Sequence, residues 1–107
     1  MSHLTTHILD NSTGLPAAGV AVSLRTAAGE QLAAGTTDDD GRVGELGPQR
    51  LSPGPYQLVF ATGEYFAARG VETFFPEVIL TFTVGEAEHY HVPLLLSPFA
   101  YSTYRGS

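Results

Sequence analysis

A chain of 107 residues with net charge −6 and no cysteine has room for one domain, 1–107, with one core and no disulfide to brace it. Lysine is absent too, so the positive charges are Arg25, Arg42, Arg50, Arg69 and Arg105, which excludes Schiff-base chemistry and a P-loop. The acidic balance, without a basic run, argues against nucleic acid and anionic membranes as partners.

Strand signals dominate the chain. His3 to Leu9 alternates His3, Thr5, His7, Leu9 against Leu4, Thr6, Ile8, and Asp10-Asn11-Ser12-Thr13-Gly14 breaks it. Val20 to Arg25 alternates again and turns at Ala28-Gly29-Glu30. Gln31 to Thr37 runs into Asp38-Asp39-Asp40-Gly41, a strong turn because aspartate bonds its own backbone and glycine accepts positive φ. A short strand is expected over Val43 to Leu46, closed by Gly47-Pro48. Tyr56 to Ala61 and Val78 to Val84 read as strands, with one short helix, Gly63 to Gly70, between them. His89 to Leu96 and a last strand from Ala100 flank a Ser97-Pro98 turn. Short strands with frequent turns point to an all-β, two-sheet antiparallel sandwich with one short helix.

Side chains two apart in a strand share a face. His89 and His91 therefore stand together, opposite Tyr90, Val92, Leu94 and Leu96. Beyond Ala100, Ser102, Tyr104 and Gly106 fall on one face and Tyr101, Thr103 and Arg105 on the other. His3 and His89 lie nearer strand ends and are read as rim. Alone, each of these residues has a plain reading: a lone strand histidine is commonly solvated, and Arg42 offsets its acidic turn. His89-x-His91 is a spacing metal ligands use, but no cysteine or suitably spaced carboxylate completes a set, so no metal and no cofactor is expected. The opening Met-Ser-His-Leu-Thr-Thr-His has no leader character, and no apolar run nears the ~20 residues of a membrane span. A soluble, cytoplasmic chain is expected.

LTTHILDNSTG (Leu4 to Gly14), DGRVGEL (Asp40 to Leu46) and HYHVPLLLSPFAYSTYRGS (His89 to Ser107) together resemble the transthyretin-like family, in particular its enzyme branch. The likeness spans about Leu4 to Ser107, with the closing Tyr-Arg-Gly-Ser its most specific motif. GLPAAGVAVSL, TTDDDGR and PGPYQLVF also resemble carboxypeptidase regulatory-like sandwiches, so a non-catalytic binding module is the alternative. The enzyme-branch resemblance implies a homotetramer, a dimer of dimers with sites in the channel between the dimers. It implies hydrolysis of 5-hydroxyisourate to 2-oxo-4-hydroxy-4-carboxy-5-ureidoimidazoline, a step of urate degradation in purine catabolism. By position it implies His7, Arg42 and His91 as catalytic residues, and His7, Arg42, Tyr104 and Ser107 as substrate-binding residues. Either His7 or His91 is then the base, His7 slightly preferred, with Arg42 as electrostatic stabiliser. The hormone-carrier branch lacks these histidines, the arginine and the Tyr-Arg-Gly-Ser ending.

Overall fold

Alternation of apolar and polar residues builds both layers of the molecule, seen in a computed structural model that describes residues 2–106. The strands are β1 (Leu4–Asp10), β2 (Leu15–Pro16), β3 (Ala21–Thr26), β4 (Gln31–Thr36), β5 (Gly54–Phe60), β6 (Val78–Val84), β7 (Tyr90–Ser97) and β8 (Ala100–Thr103). One helix, α1 (Thr62–Ala68), joins β5 to β6. They form two four-stranded sheets, β2-β1-β7-β8 and β4-β3-β5-β6.

Leu4, Ile8, Leu94 and Leu96 from the first sheet and Val22, Leu24, Leu58 and Phe60 from the second are all buried between the layers. Each such side chain contributes about 1.5–3 kcal/mol relative to exposure. The helix adds Tyr65 and Phe66 to the same core. Tyr65 also carries a polar task, donating a hydrogen bond of 2.8 Å to Oδ2 of buried Asp10. Burial alone would raise the Asp10 carboxyl, but the bonds from Ser12 and Tyr65 outweigh it and hold its pKa below the ordinary value. The Tyr65 phenol is pushed up to about 12 by burial and by its bond to Asp10.

The sandwich matches the sequence expectation, with two differences. First, the expected strand over Val43 to Leu46 does not form. Val43 and Leu46 are buried, but the Leu46 N–H donates to the Ser2 hydroxyl rather than to a neighbouring strand. Only Arg42 makes a bridge, to His7. Second, β1 and β7 pair in parallel, from Leu4 opposite Tyr90 to Asp10 opposite Leu96, whereas the remaining ladders are antiparallel. Period-two patterning fixes which face a residue occupies and carries no information on strand direction. Among the described residues, no helix is long and apolar enough to cross a membrane.

Candidate active site

The outer face of the β2-β1-β7-β8 sheet gathers the chemistry, and register does the gathering. His7 lies opposite Pro93, and Thr5 opposite His91. Across β7, Leu95 faces Ser102 and Leu94 faces Thr103, and the same spacing continues to a bridge between His91 and Gly106. That continuation sets Tyr104 beside Pro93. Two transverse rows result: Arg42, His7, Pro93, Tyr104, and next to it Thr5, His91, Gly106. Residues two apart along a strand are separated by about 6.6 Å, so the two histidines are diagonal neighbours.

Arg42 reaches this face because the acidic turn is folded upon itself. Oδ1 of Asp38 accepts the N–H groups of Asp40 and Arg42, and the Asp38 N–H donates to the Arg42 carbonyl. Gly41, at φ 77°, then offers its carbonyl to the N–H of Ile8 at 2.9 Å. Any side chain at this position would run into the Ile8 carbonyl oxygen, and the positive φ already favours glycine. The backbone of Arg42 thus belongs to the turn, while its side chain belongs to the outer face. The plain reading, an arginine balancing its acidic neighbours, misses the second half.

His91 is the most constrained member. Its Nδ1 lies 2.8 Å from the Thr5 hydroxyl, and its carbonyl accepts the Gly106 N–H at 2.8 Å. Gly106 lies close against the imidazole: a Cβ there would sit 2.5 Å from Cδ2 of His91. Burial lowers the His91 pKa below 6.5, and the charges of Arg42, His7 and His89 lower it further, while a contact with the Thr5 backbone acts the other way. The ring is therefore held neutral near neutral pH, beside a permanent cation.

His7 stands half-buried, Arg42 exposed, and Tyr104 is 59% exposed. Among the described residues, nothing forms a wall above this face. Arg105 points to the other side, its guanidinium 5.0 Å over the Tyr90 ring. There it borders a cavity of about 380 Å³ between the β6 and β8 edges, whose lining includes Leu80, Phe82, Tyr90 and Val92 and is also reached by His91 and Tyr104. Ser107 lies outside the described residues. His3, read as rim, is instead part of the core: 2% exposed, with Nδ1 accepting from Leu51 N–H and Nε2 bonded to the Ala87 carbonyl. Its position just ahead of β1 places it under the loops rather than on the outer face. Among the described residues no group of three histidine, cysteine or acidic side chains could hold a metal ion. Thr5 and Gly106 fall on the alternation that marks His7 and Tyr104, yet their chemistry is too plain to have singled them out.

Such a face offers proton transfer by imidazole beside a guanidinium able to meet a developing oxyanion, the requirements of hydrolysis at a carbonyl. Fold and face together define a transthyretin-like sandwich with an acid–base cluster on one outer sheet surface. A family model described as HIUase/Transthyretin family matches residues 4–106, and the chain belongs to that family. A 5-hydroxyisourate hydrolase of Salmonella typhimurium is 50% identical over 109 residues, 97% of this chain and 80% of the relative. The solved structure of Klebsiella pneumoniae 5-hydroxyisourate hydrolase superposes with a TM-score of 0.91 at 45% identity, covering 99% of this chain and all of that one. Transthyretin from Sparus aurata shares the frame at a TM-score of 0.89 and 34% identity, covering 99% of this chain and 97% of that one.

Proposed function

We infer that this protein is an enzyme that hydrolyses 5-hydroxyisourate to 2-oxo-4-hydroxy-4-carboxy-5-ureidoimidazoline, a step of urate degradation. The observation that carries this reading is the pair of rows on the outer sheet face, where His7, His91 and Arg42 meet in a chain 50% identical to a hydrolase of that name.

The reaction adds water to a ring amide carbonyl and opens the six-membered ring. Water loses one proton to a base, the carbonyl oxygen gains charge, and the departing ring nitrogen takes a proton. We assign the base to His91, reversing the slight sequence preference for His7. A ring kept neutral by burial and by the Arg42 charge is ready to accept a proton at neutral pH. His7, in the neighbouring row, supplies the proton to the leaving nitrogen. Arg42 presents a planar fork of donors to the oxyanion, a geometry that an ammonium cannot reproduce. Tyr104, exposed across from Pro93, and Ser107 hold the substrate. The test is a coupled ultraviolet assay: urate is oxidised in situ and decay of the intermediate is followed with and without the protein. Protein-dependent acceleration is expected; identical decay would remove the function.

An open face needs a cover, and we propose a homotetramer in which the β2-β1-β7-β8 sheets of two dimers face each other across the site. Support comes from exposed Phe99 and Tyr104 and from unpaired edge strands β6 and β8, which invite pairing with another copy. Sedimentation at micromolar concentration is expected to give four chains; a monomer alone would contradict the shared site.

A further inference from the structure

One hydroxyl on the outer face has two imidazole partners. Oγ1 of Thr5 lies 2.8 Å from Nδ1 of His91 and 2.9 Å from Nε2 of His89. A hydroxyl has a single proton to donate and lone pairs with which to accept. When it donates to one ring it must accept from the other, so the two histidines are locked into opposite roles. For His91 to act as a base through Nε2, its proton must sit on Nδ1 and be donated to Thr5. Thr5 then donates to Nε2 of His89.

We propose that Thr5 is a positioning residue for this hydrolysis, its hydroxyl fixing His91 in the Nδ1–H tautomer and relaying a proton from it to His89. The inference rests on the hydrolase reading above and adds two residues to its site. The step balances without any co-reactant. Water gives a proton to Nε2 of His91, and Nδ1–H of the resulting imidazolium passes its proton to the Thr5 oxygen. The Thr5 proton moves to Nε2 of His89. His91 finishes neutral with its proton on Nε2 and regains the Nδ1–H form by exchange with water, while the proton on the leaving nitrogen comes from His7. His89 finishes protonated and, being exposed on the loop before β7, discharges to solvent. The charged and titratable groups acting on His91 are Arg42 from the acidic turn, His7 from β1 and His89 from that loop, all cationic when charged. Their repulsion favours sending the extra proton outward, to the exposed end of the relay. Gly106 packs close to the imidazole, and a side chain there would run into the ring.

Two readouts test the relay in the full-length protein. Long-range proton–nitrogen NMR of the histidine rings reports the tautomer of His91 directly, whether or not the protein hydrolyses anything. The Nδ1–H form is expected in the wild type at pH 8 and in Thr5→Ser, and a shift toward Nε2–H in Thr5→Val, which keeps shape and strand preference but lacks the hydroxyl. Kinetics supply the second readout. Thr5→Val and His89→Ala are expected to lower kcat about tenfold, part of the ~10²–10⁴ that positioned acid–base help provides, with KM little changed and Thr5→Ser near wild type. An unaltered His91 tautomer in Thr5→Val, with or without a slower rate, would overturn the relay and leave Thr5 a packing residue. So would a Thr5→Val or His89→Ala enzyme with the full wild-type kcat. Absence of wild-type hydrolysis would strike the parent function, and the NMR result would still decide the tautomer.

Discussion

The two sheets of this sandwich have the same size and the same alternation, yet their outer faces are built on opposite terms. On the β4-β3-β5-β6 face, Arg25, Gln57 and Thr81 stand in register and form a ladder with a single cation: Nε of Arg25 donates to Gln57 at 2.8 Å, and Gln57 donates to Thr81 at 3.1 Å. In this row each polar side chain is partnered by its cross-strand neighbour. On the β2-β1-β7-β8 face, Arg42, His7 and His89 surround His91, and every charge that lowers its pKa has the same sign. Groups that are cationic when charged repel one another on a shared face, and a fold concerned only with stability would disperse them. The comparison teaches that strand alternation makes a surface available, while an unneutralised cluster marks which surface does chemistry.

The largest break in that comparison comes from the guanidinium. Arg42→Lys is expected to lower kcat by about 10²–10³, about 2.7–4 kcal/mol, nearly as much as Arg42→Ala, because a point charge cannot replace a two-donor plane. Steady-state rates on substrate generated in situ decide it; a lysine enzyme near wild-type rate would reduce Arg42 to a neighbour of its turn. Next comes the glycine over His91. Gly106→Ala brings a Cβ to within 2.5 Å of the imidazole and must displace it. Misplacing a catalytic group by an ångström can cost roughly 10²-fold, so a rate loss of that order is expected at an unchanged thermal midpoint. A folded Gly106→Ala enzyme with full activity would show that the ring position is unimportant.

Tyr65→Phe probes the core instead of the face. It removes a donor from buried Asp10 and is expected to cost about 1–3 kcal/mol of stability while leaving kcat unchanged. The folded-state pKa of Asp10 is lowered, so this stabilisation is present above 3.8 and is lost as pH falls through the lowered value. The difference in thermal midpoint between wild type and variant should therefore narrow in acid. A smaller effect is expected in the titration of His91. Its ring stays neutral below 6.5, so the acid limb of kcat/KM should lie below that value. In an NMR titration Arg42→Gln should move the His91 midpoint upward, and Arg25→Gln, on the other sheet, should not. Arg25→Gln should also change stability by no more than about 0.5 kcal/mol, as measured by urea unfolding.

Much of this was legible in the sequence because period-two patterning is a local signal. It placed His7, His91 and Tyr104 on outward positions and Ile8, Val92 and Leu94 inside, and the sandwich and helix are where turn chemistry put them. Signals that depend on distant partners were not legible. His3 alternates with His7 but lies buried, its Nδ1 accepting from the Leu51 N–H and its Nε2 bonded to the Ala87 carbonyl, both far along the chain. Asp10 reads as a turn residue, and nothing near it in sequence announces the Tyr65 phenol. Val43 to Leu46 has strand composition, but the Leu46 amide is met by the distant Ser2 hydroxyl rather than by a ladder. Thr5 has no unusual chemistry until β7 comes alongside in parallel and sets two histidines against it.

The central claim is that the outer face of the β2-β1-β7-β8 sheet is where 5-hydroxyisourate is hydrolysed. The most direct measurement compares the wild type with His7→Gln combined with His91→Gln, following decay of freshly generated substrate and the thermal midpoint together. The account predicts a fall in rate of roughly 10²–10⁴ with the sandwich intact, since both imidazoles are at least partly exposed and neither holds the core. A folded double variant that opens the ring at the wild-type rate would contradict it.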